Sequence, residues 1–326
     1  MNVAVLPGDC IGPEIVPWAV RAMEELAPDL EVKEFLFGAT AIRATGTPLP
    51  DETLAACRAA DAVLKGPIGD PEFDAADVRP EQGVFRLRSE LGVYANLRPS
   101  SSDGIDLLIV RELLGGIYYG ARGVREDGTV YDTCEYHPSQ VERVARRGFD
   151  LAMKRRRKLT SVDKANVLET SRMWRRVVRQ VSSDYPDVEL EEMLVDNAAM
   201  QLATRPEQFD VILAENMFGD ILSDLAAAVT GGLGLAPSAS LGDWPGGLFE
   251  PVHGSAPDIA GQGHANPAAM LRTVALMLDL AFQRREEAKA LEAAVNESLI
   301  SAPTPDIGGT ASTAEFGNAV MGALAR

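Results

Sequence analysis

Short apolar runs alternate with stretches of helical spacing along the chain. Residues 3–6 form an apolar run of the buried-strand kind, ending in the breaker-rich turn Pro7-Gly8-Asp9-Cys10-Ile11-Gly12-Pro13. Residues 14–26 then carry apolar positions at helical spacing. Residues 54–60 repeat the helical pattern, and Asp61-Ala62-Val63-Leu64 leads as a strand into Lys65-Gly66-Pro67. This alternation predicts an α/β fold. Neither an internal repeat nor a low-complexity linker interrupts it.

In the middle third, a strand-like run stops three times at an ionisable residue and a helical pattern follows. Leu159-Thr160-Ser161-Val162-Asp163 leads to Lys164, with helical spacing over 168–182. Residues 188–195 lead to Asp196, with 197–203 helical. Asp210-Val211-Ile212-Leu213-Ala214 leads through Glu215-Asn216-Met217-Phe218-Gly219 to Asp220, with a helix to 229. In open α/β sheets, ligands bind beyond the carboxyl ends of the strands. A lysine and two aspartates at such ends are candidates for one site, or simply polar ends where strands meet water. Residues 230–267 are rich in turn formers and read as an irregular binding segment. Helical spacing returns over 268–284 and 286–299.

The chain has 326 residues, enough for two domains, with 31 Lys+Arg against 48 Asp+Glu and a net charge of −17. That charge argues against a general nucleic-acid or anionic-membrane binder. Three cysteines without a CxxC pair give neither a disulfide framework nor a zinc site. No apolar run approaches the roughly 18–20 residues that span a bilayer. The N-terminus reads as a strand and turn rather than a signal peptide, so a cytoplasmic enzyme is expected.

Several constellations carry candidate chemistry. Asp220 and Asp224 stand four apart, which stacks two carboxylates on one helix face, with Ile221, Leu222 and Leu225 turned to the core. Such a pair repels unless a cation or proton sits between, and few oxygen ligands suit Mg²⁺ or Mn²⁺. Alternatively Asp220 is an N-cap and Asp224 a solvated first-turn acid. Arg88, Arg98 and Arg111 lie in a stretch alternating basic and apolar residues, either as carboxylate forks or as surface ion pairs. Tyr118, bracketed by glycines, is a proton donor if a cationic neighbour lowers its pKa, and otherwise a packed aromatic. Pro251-Val252-His253-Gly254-Ser255-Ala256-Pro257-Asp258 is a small-residue loop whose backbone can approach a phosphate or ribose. The GxGxxG and GxxxxGK[ST] fingerprints are both missing from the sequence, so a dinucleotide would bind without the Rossmann motif. Lys154-Arg155-Arg156-Arg157-Lys158 reads as a solvated helix end.

These residues together resemble the metal- and NAD(P)-dependent β-decarboxylating dehydrogenases of the isocitrate/isopropylmalate type. The resemblance is carried almost end to end, by residues 6–14, 94–99, 109–120, 161–169, 195–200, 215–224, 237–242 and 249–261. It implies a two-domain α/β fold with open mixed sheets flanked by helices. The first domain would be discontinuous, residues 1–97 and 232–326, with 98–231 as the second. It also implies a homodimer with shared active sites. Asp220 and Asp224 would bind Mg²⁺ or Mn²⁺, with Asp196 coming from the other subunit. Arg88, Arg98 and Arg111, with Asp220, would hold the malate. Lys164, also from the other subunit, would take the C2 hydroxyl proton, and Tyr118 would protonate the enolate. Ile11, His253, Gly254, Ala256, Asp258, Ile259, Asn266 and Asp306 would line the dinucleotide site.

Two details bear on specificity. A carboxylate at Asp258, beside Ile259, accepts bonds from both ribose hydroxyls and repels a 2′-phosphate, so NAD is expected over NADP. Val84 and Phe85, four and three residues before Arg88, occupy the positions that face the C3 substituent in this family. Both are apolar and suit an isopropyl group, while Arg86 is turned roughly 100° further round a helix. The expected reaction is NAD-dependent oxidative decarboxylation of 3-isopropylmalate in leucine biosynthesis. Isocitrate, homoisocitrate and tartrate remain alternatives. A non-catalytic regulatory subunit is a further one, disfavoured because Lys164, Tyr118, Asp196, Asp220 and Asp224 are all present.

Overall fold

The computed structural model describes residues 1–102 and 104–326. The connection Ser100–Gly104, shorter in sequence than is usual after the Asn-Leu-Arg-Pro motif of the resembled family, includes Asp103, which lies outside the described residues. Strands are β1 (Asn2–Leu6), β2 (Glu31–Glu34), β3 (Ala62–Lys65), β4 (Val93–Ser102), β5 (Ile105–Glu112), β6 (Arg122–Val124), β7 (Val130–Asp132), β8 (Lys158–Asp163), β9 (Glu189–Leu194), β10 (Val211–Ala214), β11 (Pro237–Gly242) and β12 (Gly247–Pro251). Helices are α1 (Gly12–Leu26), α2 (Ala39–Thr45), α3 (Asp51–Ala59), α4 (Pro80–Leu91), α5 (Pro138–Met153), α6 (Glu169–Ser182), α7 (Val195–Thr204), α8 (Asn216–Val229), α9 (Ala268–Leu280), α10 (Arg285–Ser301) and α11 (Thr313–Leu324). The α/β alternation read from the sequence is present throughout.

The chain divides into two compact units, Met1–Gly92 with Leu233–Arg326, and Val93–Gly232. In the first unit the strands run β2-β1-β3-β12-β11, parallel except for the antiparallel pair β11–β12. Helix α9 buries Ala268, Met270, Leu271, Val274, Met277 and Leu278, an apolar surface reaching round most of the helix, as expected of a central element. The turn after β1 depends on Gly8, whose φ is +78° and whose Cβ would stand 2.1 Å from the Pro67 carbonyl oxygen. The neighbouring Asp9 carboxylate is buried and accepts from the amides of Ala39, Thr40 and Gly69.

In the second unit the strands run β4-β5-β10-β8-β9, with only the β4–β5 pair antiparallel. Leu107, Ile109, Val162, Ile212, Phe218, Leu222 and Ala226 belong to one buried cluster that joins this sheet to α8. Strands β6 and β7 pair antiparallel as a separate two-stranded hairpin.

Several sequence expectations are corrected. The segment 230–267 contains a regular β11–β12 hairpin, because alternating small and apolar residues pair despite the surrounding glycines. The basic run 154–158 is not simply solvated. Arg155 Nε donates to Asp210 Oδ1 at 2.8 Å, and the Arg156 amide donates to the same buried carboxylate at 2.8 Å. Ile221 is 57% exposed, whereas Leu222 is buried as expected and Leu225 packs partly against the core.

Candidate active site

Helix α8 starts earlier than the sequence pattern indicates. Glu215 is its N-cap, accepting from the Phe218 amide at 3.1 Å, so Asn216 opens the helix. Asp220 therefore sits in the second turn and is not an N-cap. Asn216, Asp220 and Asp224 follow at four-residue spacing along one face. Asp196 follows the carboxyl end of β9 by two residues, in the first turn of α7.

Two arginines from the antiparallel pair β4–β5 lie against this helix face. Arg98 Nη1 stands 3.1 Å from Asp224 Oδ1, and Arg98 Nη2 stands 3.3 Å from Asp220 Oδ1. Arg98 Nη1 also donates to Ser223 Oγ at 2.7 Å, and its Nε to Asn96 Oδ1 at 2.8 Å. Arg111 Nη1 pairs with Asp220 Oδ1. The close fit of Arg111 on α8 requires Gly219, where a Cβ would come within 2.8 Å of the arginine's own Cβ and Cγ. Tyr118, in the 3-10 turn Gly116–Tyr118, donates from Oη to Asp220 Oδ2 at 3.1 Å. Arg98, Arg111, Tyr118, Asp220 and Asp224 thus form one cluster in the second unit.

The electrostatics of the cluster correct one expectation. Burial and the Asp220 carboxylate hold the Tyr118 phenol above its ordinary pKa, and the opposing pull of Arg111 does not reverse this. Tyr118 is thus kept as a protonated donor, not as an acidified phenol. Burial also raises the Asp224 carboxyl, with Asp220 adding to the shift and Arg98 opposing it. Two adjacent carboxylates on a helix face, partly withdrawn from water and steadied by guanidinium groups, are a hard oxygen donor set of the kind that fits Mg²⁺ or Mn²⁺. Among the described residues no three His, Cys, Asp or Glu side chains gather as a metal centre. Asp196 of the same chain does not complete the pair. It bonds instead to Lys164, Nζ to Oδ1 at 2.5 Å, and that contact lowers the Asp196 pKa.

Arg88 lies in the first unit on α4, with a charge arrangement not visible in the sequence. Its Nη2 donates to Glu250 Oε1 at 2.9 Å, and Lys65 Nζ stands 2.7 Å from Glu250 Oε2. Burial works against the Glu250 carboxylate, but Lys65 and Arg88 outweigh it and hold its pKa below the usual range. Val84 and Phe85 precede Arg88 on the same helix, Val84 buried and Phe85 half-buried. Arg86 is turned away, with Nη2 on Asp51 at 2.8 Å and Nη1 on the Leu49 carbonyl at 3.2 Å.

The residues expected at a dinucleotide also lie in the first unit. The Ile11 amide donates to the Ser255 carbonyl at 3.1 Å and so ties the first turn to the loop carrying His253, Gly254, Ala256, Asp258 and Ile259. Ala256 has a left-handed φ of +44°, a strained conformation for a residue with a Cβ. Asn266 Nδ2 donates to Asp306 Oδ2 at 3.0 Å. Burial lowers the pKa of His253 and so favours its neutral ring. His253 Nε2 is buried and makes no hydrogen bond among the described residues, which fits a group that meets a bound nucleotide. Asp258 is exposed, as a ribose-facing carboxylate must be.

Sequence reasoning passed over Asn96, Asn216, Ser223 and Glu250, which hold the arginines. Their signal is three-dimensional, since Glu250 lies 162 positions from Arg88 and Asn216 lies 105 from Arg111.

The chain matches known proteins over nearly its whole length. The family model described as isocitrate/isopropylmalate dehydrogenase covers residues 2–320. The chain is 48% identical over 348 residues to 3-isopropylmalate dehydrogenase of Zymomonas mobilis subsp. mobilis, spanning 99% of this chain and 100% of the relative. It is 50% identical over 355 residues to 3-isopropylmalate dehydrogenase of Pseudomonas fluorescens Pf-5, spanning 99% and 98%. Among solved structures, isocitrate dehydrogenase from Methylococcus capsulatus superposes with a TM-score of 0.93 at 36% identity, covering 100% of this chain and 99% of that one. With the family model spanning the chain and relatives near half identity from end to end, this protein belongs to the isocitrate/isopropylmalate dehydrogenase family.

Proposed function

We propose that this protein oxidatively decarboxylates 3-isopropylmalate to 2-oxoisocaproate, with NAD as hydride acceptor and Mg²⁺ or Mn²⁺ as divalent cation, in leucine biosynthesis. The observation that carries the reading is the convergence of Arg98, Arg111 and Tyr118 on the Asp220–Asp224 face of α8. The relatives named 3-isopropylmalate dehydrogenase at 48% and 50% identity support the substrate. The apolar Val84 and Phe85 beside Arg88 support it further. The active unit is a cytoplasmic homodimer whose subunits exchange Lys164 and Asp196. No helix among the described residues is long and apolar enough to cross a membrane.

Asp220 and Asp224, with Asp196 from the second subunit, would hold the cation. Ile11, His253, Gly254, Ala256, Asp258, Ile259, Asn266 and Asp306 would hold the dinucleotide. When bound, the cation supplies Lewis-acid stabilisation of the developing enolate and the dinucleotide accepts hydride. The residues of the chain do the rest. Arg88, Arg98 and Arg111 grip the carboxylates in two-point forks. Lys164 Nζ takes the C2 hydroxyl proton as the ketone forms. A ketone β to a carboxylate loses CO₂, and Tyr118 Oη then delivers its proton to the enolate carbon.

A second reading, isocitrate as substrate, draws on the solved isocitrate dehydrogenase of the same fold. Product analysis decides. 3-Isopropylmalate with NAD and Mg²⁺ should give NADH, CO₂ and 2-oxoisocaproate in equal amounts. NADH without CO₂, or no product at all, overturns the proposal.

A further inference from the structure

Each arginine over α8 has its Nε–H held by an asparagine. Asn96 serves Arg98, and Asn216 Oδ1 accepts from Arg111 Nε at 3.0 Å and Nη2 at 2.8 Å. Asn216 makes further bonds. Its Nδ2 donates to the Gly115 carbonyl at 2.9 Å, immediately before the turn that carries Tyr118. Its own amide donates to Tyr136 Oη at 2.9 Å, and the residue is 1% exposed. A carboxamide accepts on one side and donates on the other, which a carboxylate or a single hydroxyl cannot do across this gap. With Nε and Nη2 of Arg111 engaged by Asn216, Nη1 is turned to Asp220. One helical turn beyond Asn216, Asp220 meets that same arginine and Tyr118 Oη.

We infer that Asn216 is a positioning residue for the decarboxylating reaction, a role that rests on the dehydrogenase reading above. Its carboxamide fixes the plane of the Arg111 fork that receives a substrate carboxylate. Through Gly115 it also fixes the turn that aims the Tyr118 hydroxyl. It touches neither substrate nor cofactor, and acts by holding two groups that do.

The test is steady-state kinetics of the full-length wild type, Asn216→Ala and Asn216→Asp, with Mg²⁺, NAD and 3-isopropylmalate, well below each protein's Tm. Asn216→Ala should raise KM for the hydroxy acid about tenfold and lower kcat about tenfold, the scale of losing hydrogen bonds to a charged group. KM for NAD should stay within about twofold, because the Asn216 carboxamide bonds to Arg111 and the Gly115 carbonyl, on the side of the hydroxy acid. Asn216→Asp keeps the acceptors for Arg111 but sets a carboxylate against the Gly115 carbonyl, so kcat should fall more than KM rises. If Asn216→Ala does not fold, the nearly isosteric Asn216→Asp carries the test. A lower Tm with unchanged kcat and KM would mean a purely structural role and overturns the inference. A wild type inactive on every hydroxy acid overturns the dehydrogenase reading and takes this inference with it, whereas an active wild type with kinetically silent variants overturns this inference alone.

Discussion

The Tyr118 hydroxyl donates to Asp220 Oδ2 across 3.1 Å, joining the proposed proton donor to a proposed cation ligand. Arg111 lies over the same ring, its guanidinium carbon 5.7 Å from the centroid. Tyr118→Phe keeps the ring and this cation–π contact and removes only the proton. It should lower kcat by about 100-fold, the scale of general-acid catalysis, with KM for the hydroxy acid little changed. An unchanged kcat would remove Tyr118 from the mechanism.

Removal of the cation should abolish turnover. Activity lost to EDTA should return with Mg²⁺ or Mn²⁺. Asp224→Asn should raise the metal concentration for half-maximal rate by roughly tenfold, since a charged oxygen ligand becomes neutral. A rate indifferent to chelation, or an unshifted metal dependence in Asp224→Asn, contradicts the assignment of this pair.

Much of this arrangement was legible in the sequence, and the remainder has physical causes. The β10 run and the four-residue spacing of Asp220 and Asp224 identified the strand, the helix and the paired acids. The start of α8 was missed because its cap is Glu215, a residue type outside the preferred short caps. The charge on Arg88 was visible, but its Glu250 partner lies on a distant strand that only folding brings near. The 3-10 turn of Tyr118 reads in sequence as two aromatics between glycines. Its geometry depends on Tyr136, whose Oη would stand 2.6 Å from a Cβ at Gly116.

Glu112, next to Arg111, is fully buried, and burial pushes its carboxyl up to about 7 against the opposing bonds from the Leu114 and Gly115 amides. In the fold it retains a proton that the unfolded chain has released. Stability present below the unfolded pKa is therefore lost as pH rises from about 4.5 through about 7. The loss has a ceiling of ~3 kcal/mol. Urea unfolding across this range should show wild type weakening relative to Glu112→Gln as pH rises. A difference independent of pH would mean that Glu112 stays ionised in the fold.

Phe85→Arg should place a cation on the α4 face that also carries Arg88. The ratio of kcat/KM for isocitrate to that for 3-isopropylmalate should rise at least about tenfold, as an added charge-assisted fork favours a third carboxylate. An unmoved ratio would mean that this face does not meet the C3 substituent.

The most direct measurement is the initial rate of NADH formation with NAD and Mg²⁺ across 3-isopropylmalate, isocitrate, homoisocitrate, tartrate and malate. The account predicts the highest kcat/KM for 3-isopropylmalate. A higher value for isocitrate or another of these acids, or no NADH from any of them, would contradict it.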